Sequence, residues 1–250
     1  KFDQFSDGVL SYEDERGRVQ RGQGISSMEG SWRLVGGLGQ MIDALAKRLP
    51  DHRKRLNAPV VDLTKSKDGI SVTLASGEIL DANHVVLALP PRVAAQFTFA
   101  PALPANTLRT MQGIATWMAG QAKAVAVYDT PFWREDGLSG DAMSRVGPMV
   151  EIHDASPAQG GPYALFGFIG VPPHARKHEY QLREQLQAQL IRLFGPKAAE
   201  PTQLYIKDWA YDRYTATQAD QAPLYAHPTY GLPHAMTHLW DDTLHFAGTE

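Results

Sequence analysis

A lysine set inside a strand-like run is the residue of this sequence best suited to chemistry. Between Gln121 and Tyr128, Gln121, Lys123, Val125 and Val127 alternate with Ala122, Ala124, Ala126 and Tyr128. A strand apolar on both faces is buried on both. An ammonium there needs a partner or water, and lysines so placed often mark functional sites. The other reading is a strand end through which Lys123 reaches solvent. Trp209, beside Asp208 after another strand-like run, either fills the core or walls a flat aromatic ligand.

Other local features carry less. Gly36-Gly37-Leu38-Gly39 lies between a short strand and a helix, where a dinucleotide-binding turn would lie. The GxGxxG spacing fails from Gly36 and from Gly37, whose third glycine position is Ile42, so a tight turn is the simpler reading. His227, His234, His238 and His245 crowd the C-terminal fifth, with His234 and His238 four apart. Pro233 and Gly231 precede that pair and no HExxH glutamate lies between them. Loop histidines are expected there, and no metal site is assigned. Gly137-Leu138-Ser139-Gly140 has the wrong spacing for a nucleophile elbow.

The bulk numbers narrow the classes. The chain has 250 residues, 43% hydrophobic and 20% charged, with a net charge of −3. That suits one large or two small globular domains. No Lys/Arg block implies nucleic acid or an anionic membrane surface, and no apolar run reaches the roughly 20 residues of a membrane helix. The absence of cysteine removes disulfides, thiol catalysis and Cys-based zinc sites. It leaves the compartment open.

The elements that must position these residues are legible in outline. Residues 1–31 read as a loop-rich lead-in with one short strand at most. Trp32–Val35 is strand-like, and Leu38, Met41, Ile42, Leu45 and Leu49 recur at helical spacing until Pro50. Val60–Leu63 and Ile70–Leu74 form strands joined by the Lys67-Asp68-Gly69 turn. Val85–Leu89 reads as a fully buried strand ending at Pro90-Pro91. A helix is expected near 104–111, and strands near 120–128, 148–152, 163–169, 202–208 and 243–247. An amphipathic helix is expected over 179–194. Mixed strands and helices without a βαβ rhythm predict an α+β fold, a mixed β-sheet with flanking helices. Expected segments are the 1–31 lead-in, a 32–242 domain and, over 243–250, the start of a C-terminal segment.

An ordered set of short motifs resembles the flavin-containing amine oxidases, the monoamine and polyamine oxidase family. Val35-Gly36-Gly37-Leu38-Gly39-Gln40, Ala58-Pro59-Val60, Leu87-Ala88-Leu89-Pro90-Pro91 and Phe99-Ala100-Pro101-Ala102-Leu103-Pro104 come first. Lys123 with Tyr128 and Pro131-Phe132-Trp133, then Asp208-Trp209 and Phe246-Ala247-Gly248-Thr249-Glu250, complete it in family order.

The resemblance implies the substrate domain of an FAD-dependent amine oxidase, with the Rossmann-like FAD half largely missing from these residues. Val60 would meet the adenine end through its backbone, and Pro90 and Pro91 would end a strand beside the cofactor. Lys123 would hold a water near flavin N5. Trp209 would pack near the isoalloxazine, while Gly248, Thr249 and Glu250 would approach the pyrophosphate and ribityl chain. Catalytic roles fall to Lys123 and Trp209. FAD would be noncovalent and incompletely bound by this chain, and the substrate a small-molecule amine. The partner would be the missing FAD-binding domain of the same protein. A chain without it exposes apolar surface, which predicts an inactive chain that either self-associates as a homo-oligomer or is poorly stable. Where the family's aromatic cage needs a ring, ten residues beyond Trp209, Ala219 stands, with Tyr214 and Tyr225 offset. Two other readings stay open: a related flavoprotein oxidase or desaturase acting on a larger apolar substrate, and a non-catalytic binding module.

Overall fold

The computed structural model describes residues 2–4, 9–13, 16–23, 32–157, 159–224 and 226–248. The first strands are β1 (Phe2–Gln4), β2 (Val9–Glu13), β3 (Val19–Gln23) and β4 (Trp32–Leu34). Then come β5 (Val60–Lys65), β6 (Ile70–Leu74), β7 (Ile79–Ala82), β8 (Val85–Leu87) and β9 (Thr98–Ala100). The remainder are β10 (Ala122–Tyr128), β11 (Leu138–Ser144), β12 (Met149–Asp154), β13 (Tyr163–Ile169), β14 (Gln203–Asp208) and β15 (Leu244–Phe246). The helices are α1 (Gly37–Lys47), α2 (Pro91–Ala94), α3 (Ala105–Gly113), α4 (Phe132–Glu135) and α5 (Glu179–Phe194). Mixed sheets with few helices are the α+β arrangement that the patterning predicts.

Contacts divide the chain into two compact units, residues 1–50 with 121–208, and residues 51–120 with 209–250. Long-range strand pairing draws these boundaries. They therefore run differently from the continuous 32–242 segment expected from sequence.

The first unit is built on a seven-stranded sheet in the order β14-β10-β13-β12-β11-β2-β3. The lead-in is not loop-rich as expected: it holds β1, β2 and β3, with β2 parallel to β11 and antiparallel to β3. Its sequence is polar, so these strands lack the apolar alternation that would announce them. Helix α5 covers one face of the sheet. Leu182, Leu186, Leu190 and Leu193 recur at three- and four-residue steps and are all buried. They pack with Ala122, Ala124, Ala126, Ile152 and Leu165 in one core. Each such leucine contributes about 1.5–3 kcal/mol of burial. Gln189 of the same helix is fully buried: its Oε1 accepts from the Met149 amide (2.8 Å) and its amide donates to the Met149 carbonyl (2.7 Å).

Helix α1 forms where the spacing predicts it, yet none of its residues is buried. Leu38 is 68% exposed, and Met41, Ile42 and Leu45 are also exposed. Gly36 and Gly37 both take positive φ, 81° and 78°, the left-handed region where glycine is unstrained.

The second unit has a four-stranded sheet, β7-β6-β5-β9, and a parallel pair, β8 with β15. Leu63, Ile70, Leu87, Met111, Met236 and Leu244 share its core. The β5–β6 hairpin closes at the expected turn, where the Ser66 amide donates to the Gly69 carbonyl (2.9 Å). Strand β8 is shorter than expected, and only Leu87 of its three residues is buried; Val86 is exposed. A two-stranded sheet lacks the neighbours that would cover both faces of a parallel strand.

Candidate active site

Lys123 lies near the start of β10, the strand next to the edge strand β14 in the first unit's sheet. Its strand β10 buries Ala122, Ala124, Ala126 and Tyr128, while Lys123, Val125 and Val127 face the half-buried side. This corrects the expectation of a strand buried on both faces: α5 covers only one. Tyr128 donates its hydroxyl to the Ala198 carbonyl (3.1 Å), and burial pushes its proton affinity up.

Register fixes the neighbours of Lys123. It stands opposite Phe168 of β13 and Lys207 of β14. Its Nζ lies 5.2 Å from the Phe168 ring centroid and 5.9 Å from that of Phe166, within the reach of a cation–π attraction. The Phe166 and Phe168 rings meet edge to face at 4.9 Å. On β12, Glu151 lies opposite Phe168 and His153 opposite Phe166. The His153 ring stacks on Phe166 at 6.5 Å. Its Nδ1 bonds Asp141 Oδ1 (2.9 Å) and its Nε2 bonds Glu151 Oε1 (2.7 Å). The hydrogen bond to Asp141 raises the imidazole's pKa above its ordinary value; burial opposes this and Glu151 adds to it. Donation from both nitrogens requires the protonated ring.

The β11–β12 pair is held by a buried node. Asp154 Oδ2 accepts from Trp133 Nε1 (2.8 Å) and Arg134 Nε (2.7 Å), and its Oδ1 accepts from the Ser156 amide (2.8 Å). Burial pushes Asp154 upward, but the bonds from Arg134, Ser156 and Trp133 outweigh it and hold the carboxyl below its usual range. Gly140, at φ 83°, passes so close that a Cβ would lie 2.7 Å from Asp154 Cβ.

The second unit gathers other expected site residues. β8 and β15 run parallel, with Phe246 opposite Leu87, and the Ala247 amide donates to the Leu87 carbonyl (3.0 Å). The chain beyond both carboxyl ends opens on a cavity of about 130 Å³ lined by Leu89, Pro91, Gly231, Met236, Phe246 and Gly248. Ligands of α/β sheets bind in crevices at the carboxyl ends of parallel strands. Pro91 and Gly248 thus meet at one cavity, and Pro90 caps the α2 turn beside it. Val60 does not line it. That residue begins β5 next to a register shift and packs on the unit's core. Trp209 is half-buried and opens a short 3₁₀ turn after β14. Thr249, Glu250 and Tyr225 lie outside the described residues.

An ion pair fixes the turn that follows Trp209. Asp220 Oδ1 accepts from Arg92 Nη1 (2.7 Å) and the Thr116 amide (3.1 Å), and Oδ2 from the Thr217 amide and hydroxyl. Burial raises the Asp220 carboxyl, and these donors together bring it below its ordinary value. Ala219 lines an open cavity of about 540 Å³ with Arg92, Gln96 and Gln112. The histidines go to separate partners: His238 to Asp242, His227 to the Pro228 carbonyl and His245 to His84.

Sequence reading missed Phe166, Phe168, His153, Asp141 and Glu151. Their strands were partly legible, but which residues stand opposite Lys123 depends on pairing between distant segments.

The chain matches the flavin containing amine oxidoreductases over residues 5–250. It is 30% identical over 186 residues to a Dictyostelium discoideum protein named "Probable flavin-containing monoamine oxidase A", covering 73% of this chain and 40% of that one. The chain therefore spans well under half the length of that curated relative. Wild-type putrescine oxidase bound to putrescine has the same fold, with a TM-score of 0.74 at 19% identity over 99% of this chain and 77% of that one. Cyclohexylamine oxidase from Brevibacterium oxydans gives 0.67 at 26% identity over 85% and 47%.

Proposed function

This chain belongs to the flavin-containing amine oxidoreductase family, and from that premise we propose that it forms the substrate side of an FAD-dependent amine oxidase. The observation that carries the reading is the family match along residues 5–250. The half-buried Lys123 and the cavity at the ends of β8 and β15 support it.

The cavity suits a part of the cofactor. At about 130 Å³ it is smaller than the roughly 300–1,000 Å³ of whole ligand pockets. Gly248 at its wall offers a close backbone approach. Pro91 and Gly248 would meet the cofactor there; Pro90, Thr249 and Glu250 would add contacts to it, all without a covalent bond, and the Val60 backbone would meet its adenine end. The remaining contacts would come from a Rossmann-like segment outside these 250 residues, without which the chain would be inactive.

The chemistry FAD supplies when bound is acceptance of a hydride from the carbon beside the amine nitrogen, with oxygen as reoxidant. The protein supplies position and a dry, shaped cavity. Lys123 would hold a water at the reacting end of the substrate, using its ammonium as a donor fixed above the Phe166 and Phe168 rings. Trp209 would wall the flat ring system by stacking. The substrate would be a small-molecule amine.

The test is a visible absorption spectrum of this chain beside a version extended to the length of its relatives. Flavin absorption in the extended protein, bleached anaerobically by an amine, is expected. Absence of flavin from both sinks the reading.

A further inference from the structure

Arg92 is the second residue of α2, directly after Pro91, which lines the cavity at the ends of β8 and β15. Its guanidinium grips two other segments. Nε donates to the Gln112 carbonyl (2.8 Å), in the last turn of α3, where helix carbonyls lack partners of their own. Nη1 donates to Asp220 Oδ1 (2.7 Å). The Arg92 side chain is 16% exposed and that of Asp220 0%. Helix α2 has four residues, too few to hold its own place. Buried Val93 and Ala94 anchor it by packing, and Arg92 anchors it by charge.

Asp220 gathers the remaining donors. Its Oδ1 also takes the Thr116 amide (3.1 Å), and Oδ2 takes the amide and hydroxyl of Thr217 (2.8 and 2.7 Å). One carboxylate thus joins α2, the turn after α3 and its own 3₁₀ turn. The next residue, Gln221, donates its side-chain amide to the Ala210 carbonyl (3.4 Å). Ala210 follows Trp209 in one short 3₁₀ turn. A continuous series of bonds therefore runs from Pro91 through Arg92, Asp220 and Gln221 to Ala210 and Trp209.

Resting on the amine-oxidase reading above, we propose that Arg92 and Asp220 are positioning residues for the cofactor. Their buried pair holds the Pro90-Pro91 turn and the Trp209 segment in one fixed arrangement, on which FAD affinity depends. Neither residue touches the cofactor in this arrangement. The carboxylate fixes the guanidinium, and the guanidinium fixes the turn. Removing either partner leaves a buried charge or buried amides unpaired, and the turn shifts to repair the loss. Lysine at position 92 would keep the charge but not the rigid fork that reaches Asp220 and Gln112 together.

The experiment uses the full-length protein, freed of flavin, and measures its dissociation constant for FAD well below the melting temperature. Arg92→Ala and Asp220→Ala should each raise that constant by about tenfold, the scale on which outer partners act at bound metals, and Arg92→Lys by less. Arg92 lines the open cavity of about 540 Å³, so free guanidinium can reach the place its side chain leaves. Millimolar guanidinium should restore FAD affinity to Arg92→Ala and leave Asp220→Ala unchanged. A purely structural pair would lower the melting temperature without moving the constant of the folded protein, and that outcome overturns the proposal. So does a raised constant that guanidinium lowers in both alanine variants or in neither. Should the alanine variants not fold, an unchanged constant in Arg92→Lys overturns it. If the unsubstituted full-length protein binds no flavin, the amine-oxidase reading itself fails; if it binds flavin and the constants do not respond, only the role of the pair fails.

Discussion

Lys123 and Phe168 face each other across the β10–β13 pair, with the ammonium 5.2 Å from the ring centroid. The sheet thereby fixes the height and direction of a charge that one face of α5-packed strand would otherwise leave free. Lys123→Met in the full-length protein should slow amine-driven flavin reduction by about a hundredfold, the low end of what a positioned proton-handling group contributes. Anaerobic stopped-flow absorbance reads this directly, and an unchanged rate removes the assigned role.

The Trp133–Asp154–Arg134 node makes a stability prediction. Asp154→Ala leaves the buried Trp133 Nε1 without its acceptor, at a cost of about 1–3 kcal/mol. Urea unfolding of the substituted protein should show a lower midpoint at an unchanged slope. A midpoint equal to that of the unsubstituted protein would mean that the node contributes nothing.

Helix α5 supplies a packing test. Leu186 and Leu190 are buried among the sheet's alanines. Either one replaced by alanine should lose about 2–5 kcal/mol, whereas Gln185→Ala, on the exposed side, should change stability by about 0.5 kcal/mol or less. Equal effects at the buried and exposed positions would contradict the packing.

Charge linkage gives opposite signs at two places. The folded pKa of His153 is raised, so its stabilisation is complete below the unfolded value near 6.5 and fades as pH climbs through the folded value. Asp141, Glu151 and, beyond Phe166, Lys123 are the charges facing it. The stability gap between the unsubstituted protein and His153→Gln should therefore be widest near pH 6 and narrow toward pH 9 in thermal melts. Asp154 and Asp220 are depressed, so their contribution holds above the unfolded value of about 3.8 and is lost as pH falls through the folded values. A gap that is flat from pH 6 to 9 would refute the His153 assignment.

Exposed Leu38, Ile42 and Leu45 on α1 predict association of this 250-residue chain. Leu38→Gln with Ile42→Gln should lower its mass by light scattering and move stability by about 0.5 kcal/mol or less. A monomer before substitution would show that the face is not adhesive.

Several elements were settled by sequence alone because their signals are local. The leucine spacing of α5, the alternation of β10 and the Lys67-Asp68-Gly69 turn each depend on residues within a few positions of one another. The ordered motifs from Val35 to Glu250 likewise carried the family. Tertiary structure decided the rest. Whether a strand is covered on one face or two depends on what packs there, so Lys123 proved half-buried, Val86 exposed and the apolar side of α1 bare. Pro91 reaches Gly248 only because β15 pairs parallel with β8. The row Lys123–Phe168–Glu151 exists only through the register of three strands. Register is a contest between distant segments, decided by which pairing buries most and leaves the fewest amides unbonded, and no local spacing in the chain encodes its outcome.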